Sequence, residues 1–135
     1  MGNSQEEQNK ALVLEAMTSA FIKRDSSAFD RYWAKDYIQH SPTIPAWRDG
    51  LKNYVAAFQL TFNYSYGMVI AEGDLVMIHS RYAGVAPKPL LACDIFRVAN
   101  GKLVEHWDVM QEEVPLEKTL AGNPMFTGPQ AQTEI

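Results

Sequence analysis

Apolar residues near the start of the chain recur at helical spacing behind a polar cap. Ser4 followed by Glu7 matches a capping box, in which the first side chain accepts a hydrogen bond from a free amide of the first turn. The apolar stripe behind this cap consists of Ala11, Leu14, Met17 and Phe21. Because these residues are spaced three or four apart, they share one face of a helix, which we predict to end near Arg24.

Two more helices are predicted before the strands begin. Asp and Ser at residues 25–27 can cap a short second helix. Its apolar residues are Phe29, Tyr32 and Trp33. A third helix is expected after Gly50. Its apolar residues at helical spacing are Leu51, Tyr54, Val55, Phe58 and Phe62. Residues 37–42 (YIQHSP) lie between the second and third helices. They predict a short extended segment and a turn, since the residue before a proline avoids helical backbone.

The second half of the chain changes to the pattern of β-strands. Residues 64–71, 75–85, 90–98 and 102–112 are rich in β-branched and aromatic side chains and are separated by Gly, Pro and Asn. Helices followed by consecutive strands with short turns predict an α+β fold. In it, three N-terminal helices cover one face of an antiparallel sheet, and a curled sheet of this kind leaves a pocket.

The periodic pattern ends near Pro115. We predict one domain over residues 1–114 and an extended C-terminal tail over residues 115–135, in which only Met125 and Phe126 form an apolar anchor. This tail can dock on its own domain or on a partner subunit.

The strongest local signal is a hairpin over residues 94–111. Asn100 and Gly101 both tolerate the positive φ that tight hairpin turns need. His106 and Asp108 are two residues apart on the second arm, so their side chains point to the same face of the sheet. A buried face carrying these polar groups predicts a chemically active site.

The loop length decides whether Asp94 joins that face. A two-residue turn places Asp94 opposite Trp107, which leaves Asp108 on the other face. A three-residue loop over residues 99–101, with Gly101 in the left-handed position, places Asp94 opposite His106 instead. We expect this second register, because it gathers the polar residues on one face with Phe96 and Met110.

Asp94 and Asp108 are the leading candidates for acid/base chemistry. Asp94 lies in an apolar run, where burial favours the neutral carboxyl group unless a partner stabilises its charge. The simpler alternatives are an ion pair between Asp94 and His106 or Arg81, and an exposed Asp108 on an edge strand.

The other histidines and several aromatic residues are candidates for the same site. We consider His79 a catalytic candidate with His106, and His40 a substrate-binding candidate, although most histidines are structural. Trp33, Tyr37, Trp47 and Phe58 can line an apolar pocket, as can Phe96 and Met110. No spacing among these residues matches a known metal-ligand or cofactor motif, so we expect no metal and no cofactor.

Composition narrows the class of protein. The chain of 135 residues has 47% hydrophobic and 21% charged residues, which is typical of a globular domain. Its net charge of −4 and the lack of a basic cluster argue against nucleic-acid binding. One cysteine, Cys93, allows no internal disulfide, and no apolar run has the length of a membrane span. We therefore expect a cytoplasmic protein.

Four segments together resemble the SnoaL-like proteins, most closely a bacterial subgroup of predicted aldol-condensation enzymes. These segments are residues 37–42 (YIQHSP), 94–97 (DIFR), 100–111 (NGKLVEHWDVMQ) and 122–126 (GNPMF). The resemblance implies the cone-shaped fold shared by nuclear transport factor two, scytalone dehydratase and ketosteroid isomerase, usually as a homodimer. It also implies a cyclase or isomerase type of activity.

The resemblance further implies roles for two residues. In the polyketide cyclases of this family, an aspartate in the last long strand is the acid/base residue, and its position matches Asp108. The histidine that assists it matches Asp94, so this chain departs from the cyclases and could use His79, His106 or His40 instead. The leading hypothesis is a cofactor-independent acid/base enzyme acting on a small apolar carbonyl compound. A non-catalytic ligand-binding protein, an epoxide hydrolase centred on Arg81 or Arg97, and a scaffold remain alternatives.

Overall fold

The computed structural model describes residues 4–128, which form helices followed by a five-stranded sheet. The helical elements are α1 (Gln5–Met17), a π-helical turn (Thr18–Ile22), α2 (Ser27–Tyr32), α3 (Trp47–Ala56) and a 3-10 turn (Leu116–Lys118). The strands are β1 (Trp33–Gln39), β2 (Asn63–Glu72), β3 (Leu75–Ala83), β4 (Leu90–Ala99) and β5 (Lys102–Glu112). The predicted α+β class with three N-terminal helices is confirmed.

Helix boundaries follow the predicted caps in part. Ser4 Oγ accepts a hydrogen bond from the Glu7 amide at 3.1 Å, which confirms the predicted cap of α1. The third helix begins at Trp47 rather than after Gly50, and it ends before Phe58. Trp33, predicted in the second helix, instead opens β1. Tertiary packing on the sheet therefore overrides the helical spacing of these aromatic residues.

The strand order is β1-β5-β4-β3-β2, and all pairings except one are antiparallel. The exception is β1, which pairs parallel with β5. The predicted antiparallel pairing is therefore confirmed for β2 to β5, and the parallel strand β1 makes the whole sheet mixed. Because β1 covers β5, the strand that carries Asp108 is an inner strand and not an edge strand.

The hairpin between β4 and β5 has a two-residue turn, so the predicted three-residue loop is wrong. Asn100 and Gly101 have φ values of 53° and 73°, as a type I′ turn requires. A β-bulge at Val104 adds the extra residue in β5 instead, between the pairs Val98–Leu103 and Arg97–Glu105.

The bulge gives a register that neither loop length predicts. Asp94 lies opposite Asp108, and Phe96 lies opposite His106. The predicted gathering of Asp94, His106 and Asp108 on one face is correct, although a different feature of the backbone produces it.

The core lies between the helices and one face of the sheet. Val13 and Met17 of α1 pack there with Val76, Ile78 and other inward residues of the strands. Phe29 and Trp33 contact each other with ring centroids 4.8 Å apart, and Trp33 meets Tyr37 edge-on. Among residues 4–128, no helix has the length and apolar character needed to cross a membrane.

Arg81 and Glu113 form a two-pronged ion pair on the outer face of the sheet. The guanidinium donates from Nε and Nη2 to the two carboxylate oxygens, both at 2.9 Å. These hydrogen bonds hold the pKa of Glu113 below its ordinary value of 4.5. The pair therefore stabilises the fold fully above that value, and the contribution is lost as the pH falls through the lower pKa of the folded state.

Glu113→Gln should lower the free energy of unfolding by about 0.5–1 kcal/mol at neutral pH, because it removes one partner of a partly exposed pair. Urea titrations at successively lower pH should show the difference from wild type shrinking to zero. Glu112→Gln, at the exposed neighbouring position, is the matched control and should have little effect at any pH. A Glu113→Gln deficit that stays constant with pH would contradict this account.

The first part of the C-terminal tail docks on the outer face of the same chain's sheet. Phe126 packs against His79 with ring centroids 5.3 Å apart, and the Val114 amide donates to Met125 Sδ at 3.1 Å. The tail backbone crosses β2 at Gly67, where any Cβ would collide with the carbonyl oxygen of Thr127. The division into residues 1–114 and 115–135 stays a prediction, and residues 129–135 lie outside the described range.

Gly67→Ala should displace this tail, because the added methyl group occupies the space of the Thr127 carbonyl. The expected result is faster hydrogen exchange at the Val114 amide, which loses its partner Met125. Exchange within β4 should not change. Met68→Ala, a truncation of the exposed neighbouring side chain, serves as the control. Unchanged exchange at Val114 in the Gly67 variant would show that the contact does not hold the tail.

Candidate active site

A cavity of about 100 Å³ lies between the helices and the inner face of the sheet. By the same measure a single water needs about 10–15 Å³, so the cavity has room for a small organic molecule. Most of its lining is apolar and aromatic, including Phe21, Trp33, Tyr37, Tyr54, Phe58, Phe96 and Met110. Its polar residues include Gln39, Tyr82, Asp94, His106 and Asp108. An apolar pocket with a few convergent polar groups is the usual form of a small-molecule site.

Asp94 is the most deeply buried carboxyl group of the cavity, with 1% of its surface exposed. Its Oδ1 lies 2.8 Å from His106 Nε2, and its Oδ2 accepts a hydrogen bond from the Tyr82 hydroxyl at 2.6 Å. Strand β3 supplies Tyr82, β4 supplies Asp94 and β5 supplies His106, so three adjacent strands fix the group. The buried carboxyl is therefore fully hydrogen-bonded, as burial requires.

Gln39 holds the opposite side of the His106 ring. Its Oε1 accepts a hydrogen bond from the Ser41 backbone amide at 2.9 Å and lies 2.7 Å from His106 Nδ1. Since a backbone amide can only donate, the atom facing Ser41 is the oxygen of the Gln39 amide. His106 Nδ1 therefore carries a proton, which it donates to the same oxygen.

This arrangement determines the total charge of the Asp94–His106 pair. With a proton on Nδ1, the 2.8 Å contact at Nε2 needs one proton, on either the imidazole or the carboxyl group. The pair is then imidazolium with carboxylate, or neutral imidazole with carboxylic acid. Its total charge is zero in both cases.

The tyrosines beside this pair remain protonated. Burial, together with the nearby Asp94 carboxyl, raises the pKa of Tyr82 well above 10. The same two causes raise the pKa of Tyr64, whose hydroxyl lies 2.9 Å from Ser80 Oγ. Tyr82 therefore serves Asp94 as a hydrogen-bond donor throughout the neutral pH range.

Asp108 differs from Asp94 in its surroundings. It is only partly buried, lines the cavity directly and lies opposite Asp94 in the β4–β5 pairing. Within residues 4–128 its carboxyl group has no hydrogen-bond or ion-pair partner. The Asp94–His106 pair is neutral in total. A negative charge on Asp108, in contrast, is not balanced by any such partner in the described part of the chain.

Asp94, His106 and Asp108 are also the residues best placed to hold a metal ion. One ligand atom from each lies within 4.8 Å of the others. A divalent ion would have to replace the proton between Asp94 and His106, and the ligand atoms would have to move closer together. The Nδ1–H bond to Gln39 already orients the imidazole as metal-binding histidines are oriented.

The structure separates the candidates predicted from sequence into two groups. The cavity is lined by Asp94, His106, Asp108, Trp33, Tyr37, Phe58, Phe96 and Met110, whose catalytic or binding roles stay predictions. His79, His40 and Trp47 are not among the residues that line it. His79 lies on the outer face against Phe126. His40 bonds to Glu105 at 2.8 Å and stacks on Trp107, while Trp47 is 59% exposed.

The two arginines considered for an epoxide-hydrolase centre also lie outside the cavity. Arg81 pairs with Glu113, and Arg97 donates to Asp74 and Glu105. Within the described part of the chain, no lysine or arginine lines the cavity. The Asp-Arg-Asp arrangement of that alternative is therefore not formed.

Sequence reasoning missed Gln39 and Tyr82 as parts of the site. Gln39 follows Tyr37 by two residues on β1, so strand alternation would place both on the inner face once β1 was recognised as a strand. Tyr82 lies two residues after Ser80 and four after Ile78, both inward residues of β3. In each case the available signal was the alternation of inward and outward side chains along the strand.

Comparisons with known proteins agree with this fold and cavity. A model of the SnoaL-like domain matches residues 14–106, and no curated protein matches the sequence. A proposed ketosteroid isomerase from Kribbella flavida has a TM-score of 0.70 at 15% identity, covering 83% of this chain and 84% of that chain. A proposed SnoaL-like polyketide cyclase from Jannaschia sp. has a TM-score of 0.64 at 19% identity, covering 82% and 91%.

An epoxide hydrolase from M. tuberculosis, described as LEH-like, has a TM-score of 0.67 at 16% identity, covering 80% of this chain and 86% of that chain. At these identities the solved structures establish the shared fold alone. The family match establishes membership of a sequence family, since it spans well over half of the sequence. It includes α3, β1 to β4 and the start of β5. The chain therefore belongs to the SnoaL-like domain family.

Proposed function

We propose that this protein is a cofactor-independent acid/base enzyme acting on a small apolar carbonyl compound, with Asp108 as the base. The observation that carries the proposal is the contrast between the two carboxyl groups. Asp94 is buried in a neutral pair with His106, whereas Asp108 faces the same cavity without a partner. Two carboxyl groups with such different environments can take different chemical roles.

The reaction begins when Asp108 accepts a proton from the carbon next to the carbonyl group. The C–H electron pair then moves to form the enolate, whose charge is on the carbonyl oxygen. Asp108 returns the proton to another carbon in an isomerisation. In an aldol-type cyclisation, the enolate carbon bonds to a second carbonyl carbon, and the alkoxide that results takes the proton.

The surrounding residues support this chemistry. Trp33, Tyr37 and Phe58 provide an apolar wall that excludes water and favours an uncharged substrate. The Asp94–His106 pair keeps β4 and β5 in register beside the base without adding net charge to the cavity.

Proton exchange in D₂O tests the proposal without knowledge of the natural substrate. The protein is incubated with acetophenone, cyclohexanone and hexanal, and the loss of the α-proton NMR signals is followed. Catalysed exchange of at least one compound is the expected result. Binding of these compounds with no exchange above the buffer rate would instead favour the non-catalytic ligand-binding alternative.

The homodimer implied by the family resemblance stays a prediction. The outer face of the sheet carries the exposed apolar residues Ile70 and Val109, which are 52% and 72% exposed. Burying them against a second copy would remove apolar surface from water. Light scattering at two protein concentrations would measure the subunit number.

A further inference from the structure

The amide nitrogen of Gln39 is a buried hydrogen-bond donor without a partner. Nε2 is inaccessible to solvent and has no hydrogen bond within the described part of the chain, yet Gln39 lines the cavity. Leaving a buried donor unpaired costs free energy, so such groups call for a specific explanation. A ligand acceptor in the cavity would supply the missing partner.

The orientation of this amide is fixed by its other end. Oε1 accepts from the Ser41 backbone amide and from His106 Nδ1, which occupies both of its lone pairs. Rotating the amide by half a turn would bring Nε2 against the Ser41 N–H, donor against donor. The side chain therefore holds Nε2 in a single arrangement, without a partner in the described part of the chain, before any ligand enters.

Gln39 and the proposed base Asp108 lie on adjacent strands, β1 and β5, and both are close in register to His106. Gln39 pairs with His106 in the β1–β5 register, and Asp108 lies two residues further along β5 on the same face. A carbonyl compound that places its oxygen at Gln39 can therefore turn its α-carbon toward Asp108.

We propose that Gln39 Nε2 donates a hydrogen bond to the carbonyl oxygen of the substrate and to the enolate oxygen that develops from it. This inference rests on the proposed acid/base function and specifies its substrate as a neutral ketone or aldehyde. An uncharged amide donor is suited to a neutral oxygen. Carboxylates and phosphates are disfavoured, since within residues 4–128 no lysine or arginine lines the cavity and Asp108 would repel them.

NMR with acetophenone labelled with ¹³C at its carbonyl tests this donor directly. The side-chain amide signals of Gln39 are assigned in ¹⁵N-labelled protein by their loss in Gln39→Glu. On titration with the ketone, these amide protons should move downfield. The bound carbonyl carbon should also move downfield, with the same dissociation constant.

Two variants remove the donor in different ways. Gln39→Glu keeps an oxygen for Ser41 and His106 but replaces the NH₂ group. Gln39→Met removes the NH₂ group without adding charge. Each should weaken acetophenone binding about tenfold and return the carbonyl shift toward its value in apolar solvent. Gln111→Glu, the same change at an exposed position of β5, should alter neither.

The outcomes distinguish this inference from the proposed function. Asp108→Asn should keep the carbonyl shift while losing proton exchange. An amide shift in wild-type protein without any exchange would support the Gln39 donor and reject the catalytic role. If acetophenone moves the backbone signals of Phe96 and Tyr82 but not the Gln39 amide, the donor assignment is wrong. An unchanged carbonyl shift in both Gln39 variants would overturn it as well.

Discussion

Asp108→Asn should reduce the rate of α-proton exchange by about 10²–10⁴-fold, the usual contribution of a positioned general base. Asparagine has nearly the same shape as aspartate but cannot accept the proton. The side chain is partly exposed and has no hydrogen-bond partner within residues 4–128, so its exchange for an amide breaks no contact. The measurement is the exchange rate in D₂O at saturating ketone, with circular dichroism as a check of the fold.

The control for this experiment is Asp36→Asn, which makes the same change at an exposed position of β1. It should leave the exchange rate at the wild-type value. If Asp108→Asn exchanged protons as fast as wild type, Asp108 would not be the base, and the proposed mechanism would fail at its first step.

Asp94→Ala should lower the free energy of unfolding by about 3–5 kcal/mol, the usual effect of removing one partner from a buried ion pair. The substitution leaves His106 Nε2 and the Tyr82 hydroxyl without acceptors in a buried site. Both groups lose hydrogen bonds that water cannot fully replace. Urea unfolding followed by tryptophan fluorescence measures the loss, and the slope with urea concentration shows whether unfolding remains two-state.

Two further variants identify the source of this loss. Tyr82→Phe removes one of the two donors and should cost only about 1 kcal/mol. Combining Asp94→Ala with His106→Leu removes both partners of the pair, so the double variant should be more stable than the sum of the single effects predicts. Strict additivity would show that Asp94 and His106 do not interact in the folded protein.

Local sequence signals predicted the fold because each acted over a short range. The capping of α1 by Ser4 and the turn at Asn100-Gly101 depend on a few neighbouring residues, and the structure has both. The parallel pairing of β1 with β5 depends on packing across the whole sheet, which no local pattern encodes. Trp33 was misplaced for the same reason, since its helical spacing is equally compatible with a strand.

The polar residues of the site were predicted where alternation along one strand sufficed. His106 and Asp108 are two apart, so their shared face follows from the pleat alone. Joining Asp94 to them required the bulge at Val104, which the sequence does not mark with a glycine. His79 and His40 required knowledge of which face is covered by helices. Gln39 required the position of β1 beside β5.

The extra residue at Val104 acts on strand β5 as a single-base insertion acts on a reading frame. Before it, Leu103 points inward, and after it the inward positions are 106, 108 and 110. An unbulged strand entered from the same turn would show Glu105, Trp107 and Val109 to the cavity. The chemistry of the cavity therefore depends on one residue of chain length, and the hairpin turn can vary in sequence without altering which side chains face inward.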